Sequence, residues 1–345
     1  MGVVPEYERI RDKTVAVVGV GGVGAVVTEM LTRCGIGKLL LWDYDRVELA
    51  NMNRLFFTPD QAGMTKVDAA MQTLRKINPD VDFEGHHYNM TTVENFEHFC
   101  GRIRAGAKMP HTCSSGSVDL IVSCVDNFEA RVAINQACLE CDQTWMESGV
   151  SENAISGHIQ LMIPGATPCY QCFPPVIVAE GLPPVKREGV CAASLPTTMG
   201  IVAGLLAQNA LKYLLGFGDV THYLGYDALR DHFPTLPLKA NPECTNGCCV
   251  ARQAEYRAFV KRNAAQAVAR HAPVPQPAPE ADNEWGIVVD EVFEGELLAV
   301  ADGCGLEYAF VRAAEPPEEP QVEETVQVSN ESVSELAAML QASLK

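Results

Sequence analysis

No apolar run in this 345-residue sequence reaches the roughly 18 residues that a membrane-spanning helix needs. The first residues lack the apolar core of a secretory signal, so a cytoplasmic protein is expected. Basic residues are few: 26 Lys and Arg stand against 44 Asp and Glu, for a formal net charge of −18. That balance argues against nucleic acid, and against an anionic membrane surface, as the main partner. No internal repeat is present. The length suits one large globular domain with appendages. Cysteine is abundant, with 13 residues. An odd number in a long chain without a secretory signal fits metal-bound and reactive thiols better than a disulfide scaffold.

The most informative stretch is Gly19-Val20-Gly21-Gly22-Val23-Gly24. Residues 15–20 form an apolar, β-branched run of the kind a fully buried parallel strand shows, and residues 26–31 continue as helix. Glycines allow close backbone approach to a phosphate, and the free N–H groups of the helix start supply donors. The motif alone fits dinucleotide dehydrogenases as well as ATP users. Further strands are expected at 38–42, 81–86, 118–124, 144–150 and 158–163. Helices are expected from Thr65 to about residue 77, stopped by Asn78-Pro79, and from 128 to about 138. This alternation predicts an α/β fold with a doubly wound, mostly parallel sheet and ligands at the carboxyl ends of its strands. Pro196 suits the first residue of a long apolar helix to about 215, in which Ala203, Gly204, Ala207 and Ala210 permit close packing. A further β segment lies near 222–226. After about residue 258 the composition turns Ala-, Pro- and acid-rich and predicts a flexible, disordered tail.

Asp43 ends the second strand about twenty residues after the glycines, where an acid binds ribose hydroxyls; the alternative is a surface carboxylate in a turn. Asn51, Asn53, Arg54 and Lys66 follow. Nucleotidyl transfer needs cations to neutralise phosphate charge and an amide to orient the attacking group, whereas a dehydrogenase does not. Asp126, at a strand's carboxyl end, suits Mg²⁺ as a hard oxygen ligand. Cys169 and Cys172, with Cys244, Cys248 and Cys249, offer the thiolates of a structural zinc site, with one cysteine to spare. Cys191 stands apart from these, a few residues before the helix at Pro196 and close to Lys186 and Arg187. That setting lowers a thiol pKa; a half-buried, inert cysteine is the other reading.

Three segments carry a resemblance: residues 51–57 (NMNRLFF), 123–131 (SCVDNFEAR) and 188–198 (EGVCAASLPTT). With them, residues 7 to about 256 resemble the activating enzymes of ubiquitin-like proteins, most closely the branch that serves the ubiquitin-fold modifier. The resemblance implies a single Rossmann-like adenylation domain over residues 1–258, with embedded catalytic cysteine and zinc site, that forms a homodimer. It implies ATP binding by Gly22, Asp43, Lys66, Asn89 and Asn127, and catalytic roles for Arg54 and for the Mg²⁺-associated Asp126. It makes Cys191 the thioester-forming residue and Cys169, Cys172, Cys244 and Cys249 the zinc ligands, leaving Cys248 without a counterpart. An N-terminal extension that aids ATP binding in the family is expected to be short or absent.

Residues 259–345 form the tail. Its motif at about 282–292, with Trp285 and Val288 between acidic residues, resembles a modifier-binding segment and those recognised by autophagy-type ubiquitin-like proteins. An extended segment of this kind adds a strand to a partner's sheet while Trp285 and an aliphatic residue fill pockets. Residues 332–345 begin with a capping box, Ser332-x-x-Glu335, and place Val333, Leu336, Met339, Leu340 and Leu344 on one helix face. By resemblance that helix binds the conjugating enzyme. The expected activity is ATP-dependent adenylation of a modifier's C-terminal glycine, thioester formation on Cys191 and transfer onward. Peripheral recruitment to the endoplasmic reticulum membrane through autophagy-type partners is also expected. A sulfur-carrier-protein adenylyltransferase, a dinucleotide oxidoreductase and a non-catalytic modifier-binding scaffold are the rival readings.

Overall fold

The computed structural model describes residues 4–107, 116–151, 153–173 and 195–262. Cys191, the Trp285 motif and the segment 332–345 lie outside them. Among the described residues one eight-stranded sheet runs in the order β3-β2-β1-β4-β5-β6-β7-β8. Its strands are β1 (Thr14–Val18), β2 (Lys38–Trp42), β3 (Asp82–His86), β4 (Leu120–Ser123), β5 (Trp145–Val150), β6 (Ser156–Met162), β7 (Tyr223–Asp227) and β8 (Thr235–Leu236). The helices are α1 (Gly22–Arg33), α2 (Lys66–Ile77), α3 (Val93–Ala105), α4 (Phe128–Cys141), α5 (Pro196–Leu215) and α6 (Gly247–Arg262).

The first five strands in that order pair in parallel. Helices cover both faces, which is why β1 is buried at every position. Val15, Val17, Leu39 and Leu41 face α1, α2 and α5; Ala16, Val18, Leu40 and Trp42 face α3 and α4. The last three strands join antiparallel. The strands expected at 158–163 and near 222–226 are β6 and β7, but the sequence pattern announced neither their antiparallel direction nor β8. The reversal has a local cause: the short link from Val150 to Ser156 cannot hold a crossover helix, so β6 must turn back beside β5.

Several boundaries follow from side-chain chemistry. Thr65 Oγ1 accepts from the Asp68 N–H at 3.0 Å and starts α2. Asn127 Oδ1 accepts from the Ala130 N–H at 2.7 Å and starts α4. Pro196 opens α5, whose Ala203 and Ala210 are buried against the sheet side that also holds α1; Ala207 is buried as well. No described helix is long and apolar enough to cross a membrane.

Candidate active site

The carboxyl ends of β1, β2 and β4 meet at the glycine turn. Gly19 has φ +87°, and a Cβ there would sit 2.7 Å from the Cys124 carbonyl oxygen, so only glycine lets the turn pass the end of β4. A Cβ on Gly24 would fall on the Gly19 carbonyl. The turn is held open from below: Asp43 Oδ2 accepts from the Val20 N–H at 2.7 Å, and Asp43 Oδ1 from the Asp45 N–H at 2.8 Å. Burial raises the Asp43 pKa, and the Lys66 charge and these two donors pull the other way without cancelling it. Two backbone donors leave a carboxylate with free lone pairs for further hydroxyl donors.

Lys66 is the first residue of α2, and its side chain is only 8% exposed. Its Nζ stands 2.7 Å from Asp45 Oδ2, and its N–H donates to the Asp45 carbonyl. The β2 end and the α2 start are thus tied into one unit carrying both Asp43 and Lys66.

Arg54 comes from the other side of the turn. A Cβ on Gly21 would lie 3.7 Å from its Nη1, and one on Gly22 would lie 3.5 Å from its Cδ, so the arginine stem runs across the glycines. Its Nε is buried without a hydrogen-bond partner among the described residues. A buried, unanswered donor over a glycine turn is the mark of a place built for an anion. Phe56, two residues on, has φ +96°, a strained conformation for an aromatic residue beside the site. Asn51 does not reach outward: its Oδ1 accepts from the Glu48 N–H at 3.0 Å and caps a short 3₁₀ turn.

Asp126 and Asn127 form the turn from β4 into α4, beside β1. Asn127 is occupied as the α4 cap. Asn89 is exposed beyond the end of β3, and its Oδ1 accepts from Thr91 at 3.0 Å (N–H) and 2.9 Å (hydroxyl). No described contact brings Asn89 to the glycine turn, whereas Gly22, Asp43, Arg54 and Lys66 are joined there by the contacts above.

The pattern of the sequence did not flag Arg131, Glu147 and His158. Glu147 on β5 is wholly buried, with Arg131 Nε 2.9 Å from one oxygen and His158 Nε2 2.8 Å from the other. Burial alone would raise its pKa; the two partners outweigh burial and lower it. No single-residue signal marks such a triad, because its members lie on α4, β5 and β6.

At the far side of α4, the sulfurs of Cys169, Cys172, Cys244 and Cys249 lie within 4.8 Å of one another. Neighbouring pairs stand 3.7, 3.7 and 3.6 Å apart. A tetrahedron with Zn–S bonds near 2.3 Å has edges of about 3.8 Å, so the donor set fits zinc. Cys248 points elsewhere, its sulfur accepting from Gln136 Nε2 at 3.4 Å. Other thiols are poor nucleophile candidates. Burial pushes Cys124 up to about 12 and Cys138 well above its ordinary value. Cys141 is lowered, chiefly by its hydrogen bond with Cys100. It ends the 14-residue α4, ~20 Å from that helix's start.

The sequence model of the ThiF family matches residues 3–246. "Ubiquitin-like modifier-activating enzyme 5" of Gallus gallus is 55% identical over 348 residues, 99% of this chain and 86% of that protein. The chain belongs to the ThiF family, among the ubiquitin-like modifier-activating enzymes. The Dictyostelium discoideum protein of the same name is 58% identical over 342 residues, 96% of this chain and 89% of that one. Among solved structures, E. coli MccB with ATP superposes at a TM-score of 0.56 with 20% identity, over 69% of this chain and 68% of that one. That likeness is one of fold. The glycine turn, Asp43, Lys66 and Arg54 lie together at one edge of the sheet.

Proposed function

We propose that the chain activates the ubiquitin-fold modifier through Cys191. ATP-dependent activation of a ubiquitin-like protein follows from the family. The observation that carries the residue assignment is Arg54, laid across the glycine turn with its buried Nε unpartnered among the described residues. ATP binds over that turn with its ribose on Asp43 and its phosphates near Arg54 and Lys66. Gly22, Asn89 and Asn127 complete the nucleotide site. Mg²⁺ held by Asp126 would neutralise charge on the phosphates.

In the first step a carboxylate oxygen of the modifier's C-terminal glycine attacks the α-phosphorus. The bond to the β-phosphate oxygen breaks and pyrophosphate leaves. Arg54 and Lys66 stabilise the negative charge that grows in this transition state. In the second step the Cys191 thiolate attacks the acyl carbonyl, the bond to AMP breaks, and a thioester forms. Two easier transfers replace one hard one. Cys191 lies four residues before Leu195, which precedes α5. α5 itself packs on the glycine turn, since a Cβ on Gly22 would meet Met199.

A structural zinc at Cys169, Cys172, Cys244 and Cys249 would join the segment after β6 to the start of α6. Residues 1–262 are the adenylation domain, which takes in the whole of α6 past the expected boundary at 258. The segment after α6, residues 263–345, binds the modifier, or an autophagy-type relative, through Trp285 and Val288, and the conjugating enzyme through 332–345. The working form is a cytoplasmic homodimer, recruited peripherally to the endoplasmic reticulum membrane.

Modifier-dependent ATP–pyrophosphate exchange, followed by a thiol-sensitive modifier adduct, tests the reading. Cys191→Ser keeps exchange within about threefold and gives an adduct that survives DTT, because an oxyester replaces the thioester. Absence of exchange in the intact protein overturns the proposal. A DTT-sensitive adduct persisting in Cys191→Ser moves the acceptor to another sulfur.

A further inference from the structure

Behind the turn that carries Asp126 lies a buried polar row that the two acyl-transfer steps do not consume. Ser123, Glu147 and Gln160 are register partners across β4, β5 and β6, so they share the sheet face covered by α4. All three are buried: Ser123 and Glu147 fully, Gln160 to within 3%. Arg131, on the first turn of α4, lies over this row. Its Nε and the Glu147 Oε1 are 2.9 Å apart, off the line a hydrogen bond needs, so charge holds that end of the pair. Its Nη2 donates to the Val125 carbonyl at 3.0 Å and to the Ser148 carbonyl at 3.3 Å. Val125 is covalently joined to Asp126, and the Asp126 charge also acts on Arg131.

A buried arginine–carboxylate pair adds little stability over apolar residues of equal volume, so stability does not account for this one. What the guanidinium does, and an apolar group cannot, is tie the Val125 carbonyl, in the turn where β4 hands over to α4, to the Ser148 carbonyl of β5. The guanidinium uses Nη2 for the two carbonyls and Nε for the carboxylate, whereas a lysine has one nitrogen for all three.

We propose that Arg131, held in place by Glu147, is a positioning residue that fixes the turn after β4 and thereby aims the Asp126 carboxylate during adenylation. The proposal rests on the reading of Asp126 as the metal-associated acid. His158, on the second oxygen of Glu147, keeps that carboxylate from turning away from the arginine.

The test uses the full chain with modifier, comparing wild type with Arg131→Lys and Glu147→Gln. In Arg131→Lys the exchange kcat falls about 10–100-fold, as a misplacement near 1 Å would cause, and half-saturating Mg²⁺ rises about tenfold. KM for ATP at saturating Mg²⁺ stays within about threefold, because Asp43, Lys66 and the glycine turn are untouched. Mn²⁺ titration by EPR, with a non-hydrolysable ATP analogue, reads the same aim without turnover: Mn²⁺ affinity falls about tenfold. Glu147→Gln shifts both readouts in the same direction by a smaller factor and decides the matter should Arg131→Lys fail to fold. The proposal falls if the variants that fold match wild type in Mg²⁺ dependence and Mn²⁺ affinity. It falls as well if KM for ATP rises in step with the loss of kcat. A wild-type protein without exchange condemns the reading of the site instead.

Discussion

Single glycines decide the geometry of the nucleotide edge, and they do so for different reasons. A Cβ on Gly22 would lie 2.1 Å from Met199 Sδ, near the end of a flexible side chain. Gly22→Ala should therefore destabilise by roughly 1–3 kcal/mol, and Met199→Ala in the same chain should restore part of the loss by making room. A Cβ on Gly24 meets backbone, the Gly19 carbonyl, which has nowhere to go. Gly24→Ala should be costlier, and no side-chain substitution should rescue it; thermal unfolding of the three variants distinguishes the cases. Arg54→Ala should leave folding nearly unchanged and lower exchange by about 10²–10³, the usual cost of losing one charge-stabilising donor. At this scale the sequence was readable where residues act through the backbone they sit on. Asp43 falls at a strand end, where it accepts from the Val20 N–H of the glycine turn, and Lys66 at a helix start, paired with Asp45. Arg131 and Glu147 were not readable, because a buried charge pair between α4 and β5 leaves no mark on the pattern of either segment.

Elements were legible in proportion to their burial. β1 and β2 are short apolar runs, α2 is bounded by Thr65 and Asn78-Pro79, and α5 opens on Pro196; each stands close to where its sequence puts it. α3 and α6 went unread. α3 buries only Phe99, Cys100 and Ile103. α6 buries only Cys249 and Gln253, so it has no apolar stripe to announce it. Its anchoring comes instead from sulfur and polar contacts: Cys249 in the four-sulfur cluster, and Arg252 donating to the Leu139 carbonyl at 2.7 Å. With zinc in the four-sulfur cluster, a helix held this way would depend on that metal. Cys249→Ser should reduce bound zinc from about one equivalent per chain to near zero, whereas Cys248→Ser should keep it. Amide exchange in α6 should accelerate after chelation while β1 and β4 stay protected, because metal binding energy there is folding energy. Equal zinc loss in both variants would mean that the fourth donor is misassigned.

Across the molecule, the sheet places its chemistry at the carboxyl ends of β1, β2 and β4 and keeps its far edge closed by charge. At that edge Glu84 on β3 binds three elements together. Arg102 of α3 donates to both of its oxygens at 2.6 and 2.7 Å, Lys38 of β2 stands 2.7 Å away, and His86 Nε2 lies 2.9 Å from Oε1. Burial pulls the Glu84 pKa up, but the hydrogen bonds and charges of Arg102 and Lys38 outweigh it and leave it at about 2. Its ordinary value is 4.5, so the stabilisation it lends is whole above pH 4.5 and drains away as pH falls toward 2. His86 acts at higher pH with the same sign. Burial lowers its pKa below 6.5, so the unfolded chain takes up that proton first and stability declines as pH drops through this range. The drop of about 2.5 pKa units at Glu84 would be worth ~3 kcal/mol if fully shielded, and solvent at this part-exposed edge reduces it to roughly 1–2 kcal/mol. Thermal midpoints between pH 7 and pH 2 should therefore fall less steeply in Glu84→Gln than in wild type, with the two curves drawing together as pH approaches 2. The excess of acidic residues pushes the other way, since protonation relieves self-repulsion in both proteins alike. The difference between the curves reads Glu84 together with its partner His86, and parallel curves would show that this edge is not what acid unlocks.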